Sequence, residues 1–176
     1  MPDALLYAYM QWEGGKFKLT LPAQFLEFIH FIRVRAHGRP IIGWGYSRGA
    51  KWLVEIVREH KNLLHAAVMF AGYPQTKCQY EQQASVRDLI AAKDCAICMV
   101  HFVADSVCGV QCFPHWHAEF VRHMETPRSD VSCFVSVTMP GTHDDAYPIW
   151  CHWEVDRCEV LKVWFDLMWD NSVAAR

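Results

Sequence analysis

The residues of this chain that are best suited to chemistry are a serine, an aspartate and a histidine, each placed after an apolar run that predicts a strand. Ser47 is the central residue of a G-x-S-x-G pentapeptide, and Asp105 and His143 follow later runs. A serine hydroxyl becomes an effective nucleophile when a neutral imidazole accepts its proton and a carboxylate orients and stabilises the resulting imidazolium. The three side chains therefore predict a catalytic triad for acyl transfer.

The pentapeptide lies between an apolar run, Pro40 to Trp44, and an amphipathic stretch, Ala50 to His60. This context is typical of a nucleophile elbow, in which the serine occupies a sharp turn from strand to helix. Because such a turn crowds the backbone, the positions two before and two after the serine need side chains no larger than hydrogen or methyl, and Gly45 and Gly49 meet that need. We expect the backbone N–H of Arg48, at the start of the helix, to donate to the oxyanion.

Three other aspartates compete with Asp105 for the role of the acid. Asp144 and Asp145 are close to His143 in sequence, but this closeness does not provide the required side-chain geometry. Asp94 precedes its strand and would lie at the opposite end of the sheet. Ligands of parallel sheets bind beyond the carboxyl ends of the strands, so Asp105 is the preferred acid.

The elements that must position these residues alternate along the chain. Short runs rich in β-branched or small apolar residues predict strands at Ile41 to Trp44, Ala66 to Ala71, Ala96 to Ala104 and Val131 to Thr138, with a further, ambiguous strand at Ala4 to Met10. Apolar residues at helical spacing predict helices at Pro22 to Arg35, Ala50 to His60, Gln79 to Ala92, His115 to Met124 and Val155 to Trp169. The alternation predicts a single α/β domain over residues 1–176, with a doubly wound, mostly parallel sheet flanked by helices.

The composition indicates a globular chain without a strong electrostatic preference for its partner. Its 176 residues are 52% hydrophobic and 20% charged, which is typical of a folded rather than a disordered chain. A net charge of -2 supplies no basic field for nucleic acid or an anionic membrane, so we expect a small or neutral partner. The chain shows no secretory leader pattern and no run as long as a membrane span, and we expect a soluble, cytoplasmic protein.

Eight cysteines raise the question of disulfides or a metal. A chain of this size without a secretory signal favours reduced core thiols. Candidate metal ligands cluster at Cys95, Cys98, Cys108, Cys112, His115 and His117. Cys95 and Cys98, however, begin an apolar run typical of a buried strand, and no second C-x-x-C pair completes a zinc ribbon. We therefore expect no metal and no cofactor, and keep a thiol or metal protein as the third hypothesis.

Four segments of the chain resemble the α/β-hydrolase superfamily, particularly its small carboxylesterase, phospholipase, dienelactone-hydrolase and predicted-peptidase branches. The segments are Ile41 to Ala50, Ala67 to Pro74, His101 to Asp105 and Pro140 to Asp145. The order Ser47, Asp105, His143 along the chain is also the order of the triad in that superfamily. The resemblance implies a serine hydrolase that cleaves a carboxylic ester or thioester through an acyl-enzyme.

Aromatic residues near the expected site suggest a wall for the substrate pocket. In the families that this chain resembles, the strand after the elbow helix ends in a small-residue loop beside the site, and Gly72 to Pro74 resemble that loop. The resemblance places Tyr73 in the pocket, and Trp44 and Tyr46 flank the elbow. Aromatic residues are also common in cores, so both interpretations stay open.

The chain departs from the superfamily pattern before the elbow. Family members usually have three or four strands there, and an early loop supplies a second oxyanion donor. Met1 to Pro40 provide room for one strand and one helix, so we expect the N-terminal strands to be reduced or missing. The pair Gly14-Gly15 is either a substitute for the oxyanion loop or a surface turn.

Missing strands would leave an exposed sheet edge through which two copies could form a homodimer. The alternative function is therefore that of a catalytically inactive, truncated hydrolase-like protein that acts as a binding or interaction module.

Overall fold

A computed structural model of the chain describes residues 23–72, 87–89, 92, 95–108 and 134–145. The elements in chain order are α1 (Ala23–Arg35), β1 (Ile42–Tyr46), α2 (Arg48–Glu59), β2 (Ala66–Phe70), β3 (Ala96–Phe102) and β4 (Phe134–Met139). The strands form one sheet in the order β1-β2-β3-β4, and every neighbouring pair is parallel. The α/β architecture predicted from the alternating apolar segments is thus confirmed.

The two inner strands explain why their sequences are apolar without alternation. Every residue of β2 and β3 is buried, whereas β1 and β4 contain partly buried positions. A strand that is covered on both faces has no polar face to present to water, so its apolar residues follow one another.

Side chains leave the sheet on two faces and form two separate clusters. The first-face cluster contains Met69 and Met99, which are paired in register, and the second-face cluster contains Phe70 and Val100, also paired in register. Helix α2 packs its apolar side on the first-face cluster through residues that include Ile56.

Helix α1 packs on the same side as α2. Ile29 of α1 belongs to the first-face cluster, and the rings of Phe25 and Trp52 lie 5.3 Å apart between centroids. Both described long helices therefore cover one face. Helices on the second face, which a doubly wound sheet requires, stay a prediction.

The element boundaries differ from the predicted ones mainly around the turns that border the site. Strand β1 continues to Tyr46, beyond the predicted Trp44, and α2 begins at Arg48, before the predicted Ala50. The intervening turn thus consists of Ser47 alone. Strand β3 ends at Phe102, before the predicted Ala104, because the backbone there enters a turn.

Several predicted elements fall partly or wholly outside the described residues. Within the predicted helix at Gln79 to Ala92, residues 87–89 are helical. The parts outside the described residues are the strand at Ala4 to Met10, the helices at His115 to Met124 and Val155 to Trp169, and residues 131–133 of the last predicted strand. In the part of the chain that is described, no helix has the length and apolar character needed to cross a membrane.

Candidate active site

The three predicted triad residues lie at the carboxyl ends of three parallel strands. Ser47 directly follows β1, Asp105 follows β3 and His143 follows β4. Parallel strands end at the same edge of a sheet, so side chains far apart in sequence meet there. His143 Nε2 lies 3.1 Å from Ser47 Oγ, and His143 Nδ1 lies 2.9 Å from Asp105 Oδ2. The structure therefore brings all three side chains into one hydrogen-bonded chain.

Ser47 occupies a strained backbone conformation, with φ 52° and ψ -109°. Such a conformation is rare for a residue with a Cβ and costs about 1–3 kcal/mol, which the surrounding structure must supply. The backbone N–H of Ser47 donates to the carbonyl of Phe70 at 2.8 Å, and its side chain makes no capping bond to α2. The backbone of Ser47 is therefore anchored to β2, and its hydroxyl lies within hydrogen-bonding distance of His143.

Close backbone contacts explain two of the small residues around the turn. A Cβ on Gly45 would lie 2.6 Å from the carbonyl carbon of Gly49 and 2.7 Å from the nitrogen of Ala50. A Cβ on Gly72 would lie 2.6 Å from the carbonyl oxygen of Ser47 and would also collide with the side chain of Ala50. The end of β1 and the segment after β2 therefore pack directly on the start of α2.

Gly49 differs from Gly45 in the space around it. A Cβ on Gly49 would meet no described atom within 4 Å. The sequence pattern predicts a side chain no larger than hydrogen or methyl both at Gly45 and at Gly49. The structure requires hydrogen at Gly45 and leaves room for a methyl group at Gly49.

Asp105 is fully buried, with 0% of its surface exposed, and its two oxygens have separate partners. Oδ1 accepts from the backbone N–H groups of Val107 at 2.8 Å and Cys108 at 2.7 Å, and Oδ2 faces His143 Nδ1. Bonds from N–H groups to a carboxylate are charge-assisted and strong. If Nδ1 donates to Oδ2, Nε2 carries the lone pair that can accept the Ser47 proton.

The aspartates next to His143 have other positions. Asp145 Oδ2 accepts from the backbone N–H of Thr142 at 2.6 Å and from its hydroxyl at 2.8 Å, so this carboxylate shapes the turn that carries the histidine. Asp144 is exposed. Asp94 lies outside the described residues.

The loop of Asp105 and the turn of His143 are bonded to each other through their backbones. Val103 N–H donates to Met139 O at 3.0 Å, and Ala104 N–H donates to Gly141 O at 2.8 Å. These bonds extend the pairing of β3 with β4 beyond the ends of the strands. The distance between the carboxylate and the imidazole is thus fixed by backbone contacts as well as by the side chains.

The remaining predicted site residues lie at the start of α2, in the second-face cluster or outside the described residues. Arg48 is the first residue of α2, directly after the serine, and Tyr73 lies outside the described residues, as does Gly14-Gly15. Trp44 packs on Phe70 in the second-face cluster, with ring centroids 4.8 Å apart. The oxyanion role of Arg48 and the substrate contacts of Trp44, Tyr46 and Tyr73 stay predictions.

Tyr46 makes a contact that sequence reasoning missed. Its hydroxyl donates to the backbone carbonyl of His143 at 3.3 Å, and the two rings lie 5.1 Å apart between centroids at an angle of 39°. The residues are 97 positions apart in the chain, so no local pattern signals the contact.

A second serine–histidine pair lies inside the sheet and was also missed. His101 Nε2 on β3 lies 2.9 Å from Ser136 Oγ on β4. His101 is only 2% exposed, and both residues lie within strands rather than after them. A short distance between serine and histidine therefore does not by itself distinguish Ser47. The strained turn and the position at the strand ends do.

Two of the candidate metal ligands, Cys95 and Cys98, lie on opposite faces of the sheet. Cys95 belongs to the first-face cluster and Cys98 to the second-face cluster, and both are buried reduced thiols, as is Cys108. In the described ranges no three His, Cys, Asp or Glu side chains are grouped so as to hold a metal ion. Cys112, His115 and His117 lie outside the described residues.

A scan against protein-family models and a search of the curated proteins found no match to this chain. Functional inference accordingly depends on the resemblance of the four segments and on the geometry of the site.

Proposed function

We propose that this protein is a serine hydrolase of the α/β-hydrolase type, which cleaves a carboxylic ester or thioester through an acyl-enzyme. The observation that carries the proposal is the hydrogen-bonded chain from Ser47 through His143 to Asp105 at the carboxyl edge of a parallel sheet. The strained turn at Ser47 supports it, because strain of this kind is concentrated at functional sites.

The geometry suits both halves of an acyl-transfer reaction. In the first half, Ser47 Oγ attacks the carbonyl carbon while His143 Nε2 takes the hydroxyl proton, and Asp105 stabilises the imidazolium. His143 then gives that proton to the leaving alcohol or thiol. In the second half, water attacks the acyl-enzyme with His143 again as base, which releases the acid and restores Ser47.

Access to the two serine–histidine pairs also favours Ser47 over Ser136. His143 is partly buried, whereas His101 is buried within strand β3. Because Ser47 and His143 follow their strands and are partly exposed, a substrate at this pair would not have to enter the sheet. In the proposed reaction the backbone N–H of Arg48 donates to the oxyanion.

We extend the proposal to the arrangement of helices, the cellular location and the oligomeric state, which the described residues show only in part. It includes helices on both faces of the sheet and a cytoplasmic location, where buried thiols such as Cys95 and Cys98 stay reduced. It also includes a homodimer formed through β1, which is an outer strand of the described sheet. Light scattering of the purified protein measures the oligomeric state.

The decisive experiment is intact-mass spectrometry after exposure to a fluorophosphonate, which reacts with activated serines. We expect one adduct on the native chain, none on Ser47→Ala and a labelling rate at least about a thousandfold lower for His143→Ala. Ser136→Ala is the matched control, because it removes a second serine that is bonded to a histidine, and it should label like the native chain. Turnover of a short-chain aryl ester and of its thioester analogue then separates the two substrate classes.

A folded native chain that takes up no label would overturn the proposal and favour the inactive binding module. A label that survives in Ser47→Ala and disappears in Ser136→Ala would also overturn it, because the activated serine would then be the wrong one.

A further inference from the structure

We propose that Tyr46 is a positioning residue that holds the imidazole and the backbone of His143 in the orientation that proton transfer requires. The inference rests on the proposed function, since it assigns a role within the same site. It is carried by two contacts, the hydrogen bond from the Tyr46 hydroxyl to the His143 carbonyl and the packing of the two rings.

The triad bonds hold His143 only at the two nitrogens of its ring. The partners Ser47 and Asp105 bind the two ring nitrogens, which lie on different sides of the imidazole. Rotation about the Cβ–Cγ bond of His143, or a shift of its backbone, changes both distances and misaligns the lone pair of Nε2. A third contact, on the face of the ring, opposes both motions.

The position of His143 in the chain makes such a restraint important. The histidine lies in a turn after β4, and its neighbours Thr142 and Asp144 are exposed. The bond from Ala104 N–H to Gly141 O ties this turn to the loop after β3, but it holds the backbone and not the orientation of the imidazole. Asp145 organises the turn itself through Thr142, and a link to β1, the strand that precedes the serine, holds the turn relative to Ser47.

Tyr46 provides this link because it precedes Ser47 directly and is the last residue of β1. Its backbone is paired with Phe70 of β2, so its position is fixed by the sheet. The aromatic ring packs against the imidazole and limits its rotation, and the hydroxyl ties the backbone of His143 to β1. At 3.3 Å the hydrogen bond is longer than the usual 2.7–2.8 Å for O–H···O, so we assign the larger effect to the ring.

The test compares two substitutions of Tyr46 by the second-order rate of fluorophosphonate labelling at Ser47. Tyr46→Phe keeps the ring and removes the hydroxyl, and we expect a labelling rate about threefold lower. Tyr46→Leu removes the ring, and we expect a rate about thirtyfold to a hundredfold lower, since small misplacements of reacting groups have effects of this size. With an ester substrate, kcat should fall and KM should change little.

Val68→Ala is the control for a general loss of stability. Val68 is fully buried in the same second-face cluster that Tyr46 packs against, but it lies on β2 away from the histidine. The variant should unfold more readily than Tyr46→Phe and still label at the native rate when the protein is folded. If Tyr46→Leu labels as fast as the native chain, or if Val68→Ala slows labelling as much as Tyr46→Leu does, the positioning role is wrong.

A second measurement keeps this inference separate from the proposed function. The Nδ1 proton of His143 in its bond to Asp105 should give a downfield proton resonance, assigned by its loss in His143→Asn. We expect this resonance to persist in Tyr46→Phe and to broaden or disappear in Tyr46→Leu. An unlabelled native chain that shows this pattern would contradict the hydrolase and leave the role of Tyr46 supported. A resonance unchanged in Tyr46→Leu would contradict that role directly.

Discussion

Asp105 selects one nitrogen of His143 because its two oxygens are engaged differently. Oδ1 accepts two backbone N–H groups from its own loop, which fixes the carboxylate in the buried site. Oδ2 is left to face His143 Nδ1. The loop therefore sets the direction of the carboxylate, and the carboxylate sets the protonated nitrogen of the imidazole.

Asp105→Asn should change that nitrogen while keeping the shape of the site. The amide oxygen can keep the bonds from Val107 and Cys108, which turns the NH₂ group towards Nδ1. Nδ1 must then accept, Nε2 carries the proton, and His143 can no longer take the proton of Ser47. We expect fluorophosphonate labelling to fall about 10³-fold to 10⁴-fold.

The control for this prediction is Asp144→Asn, which changes an exposed carboxylate directly beside His143. It should label at the native rate. Equal losses in the two variants would mean that overall charge near the histidine, and not the bond to Asp105, determines the reactivity.

At the scale of elements, the elbow is held by the contact of two strand ends with the first turn of α2. Gly45 and Gly72 approach this turn so closely that neither has room for a Cβ. Ala71, beside Gly72, has a positive φ of 47°, so strain is present on both sides of the contact. The packing of Gly45 and Gly72 on the first turn of α2 therefore stabilises the strained conformation of Ser47.

Gly45→Ala and Gly49→Ala should have opposite effects on stability. The new methyl group at Gly45 meets backbone atoms that cannot move aside, and we expect a loss of about 3 kcal/mol in the free energy of unfolding. At Gly49 the methyl group meets no described atom, and alanine is the better helix former, so we expect a gain of about 0.5–1 kcal/mol. Urea unfolding followed by circular dichroism measures both. A loss at Gly49 as large as that at Gly45 would contradict the asymmetry.

At the scale of the whole molecule, the candidate site exists only while the sheet is intact. Its side chains come from the ends of β1, β3 and β4, and β2 lies between β1 and β3. No pair of neighbouring elements contains all three residues. Reactivity of Ser47 should therefore disappear together with the sheet rather than before it.

Met99→Ala tests this dependence from a distance. Met99 is fully buried at the centre of β3, and its truncation should lower the free energy of unfolding by about 2–4 kcal/mol. We expect the urea midpoints for labelling and for circular dichroism to coincide in the native chain and to shift together in the variant. If labelling is lost at a clearly lower urea concentration than the circular-dichroism signal, the site opens locally before the sheet unfolds.

The sequence by itself determined the helices and strands of the described part and which candidate residues follow the parallel strands. Apolar runs and helical spacing are local patterns, and they predicted the four strands, α1 and α2 to within a few residues. The rule that sites lie after parallel strands pointed to Ser47, Asp105 and His143, which the structure places in contact. The residues meet because parallel strands of one sheet end at the same edge, and their catalytic role stays a prediction.

Only the tertiary structure decided which atoms touch across the sheet. Tyr46 meets His143 over 97 positions, and Ser136 meets His101 inside the sheet. The opposite faces of Cys95 and Cys98, and the different space at Gly45 and Gly49, likewise depend on how strands and helix pack. Such contacts leave no local pattern, because they arise from the register and separation of elements that are distant in sequence.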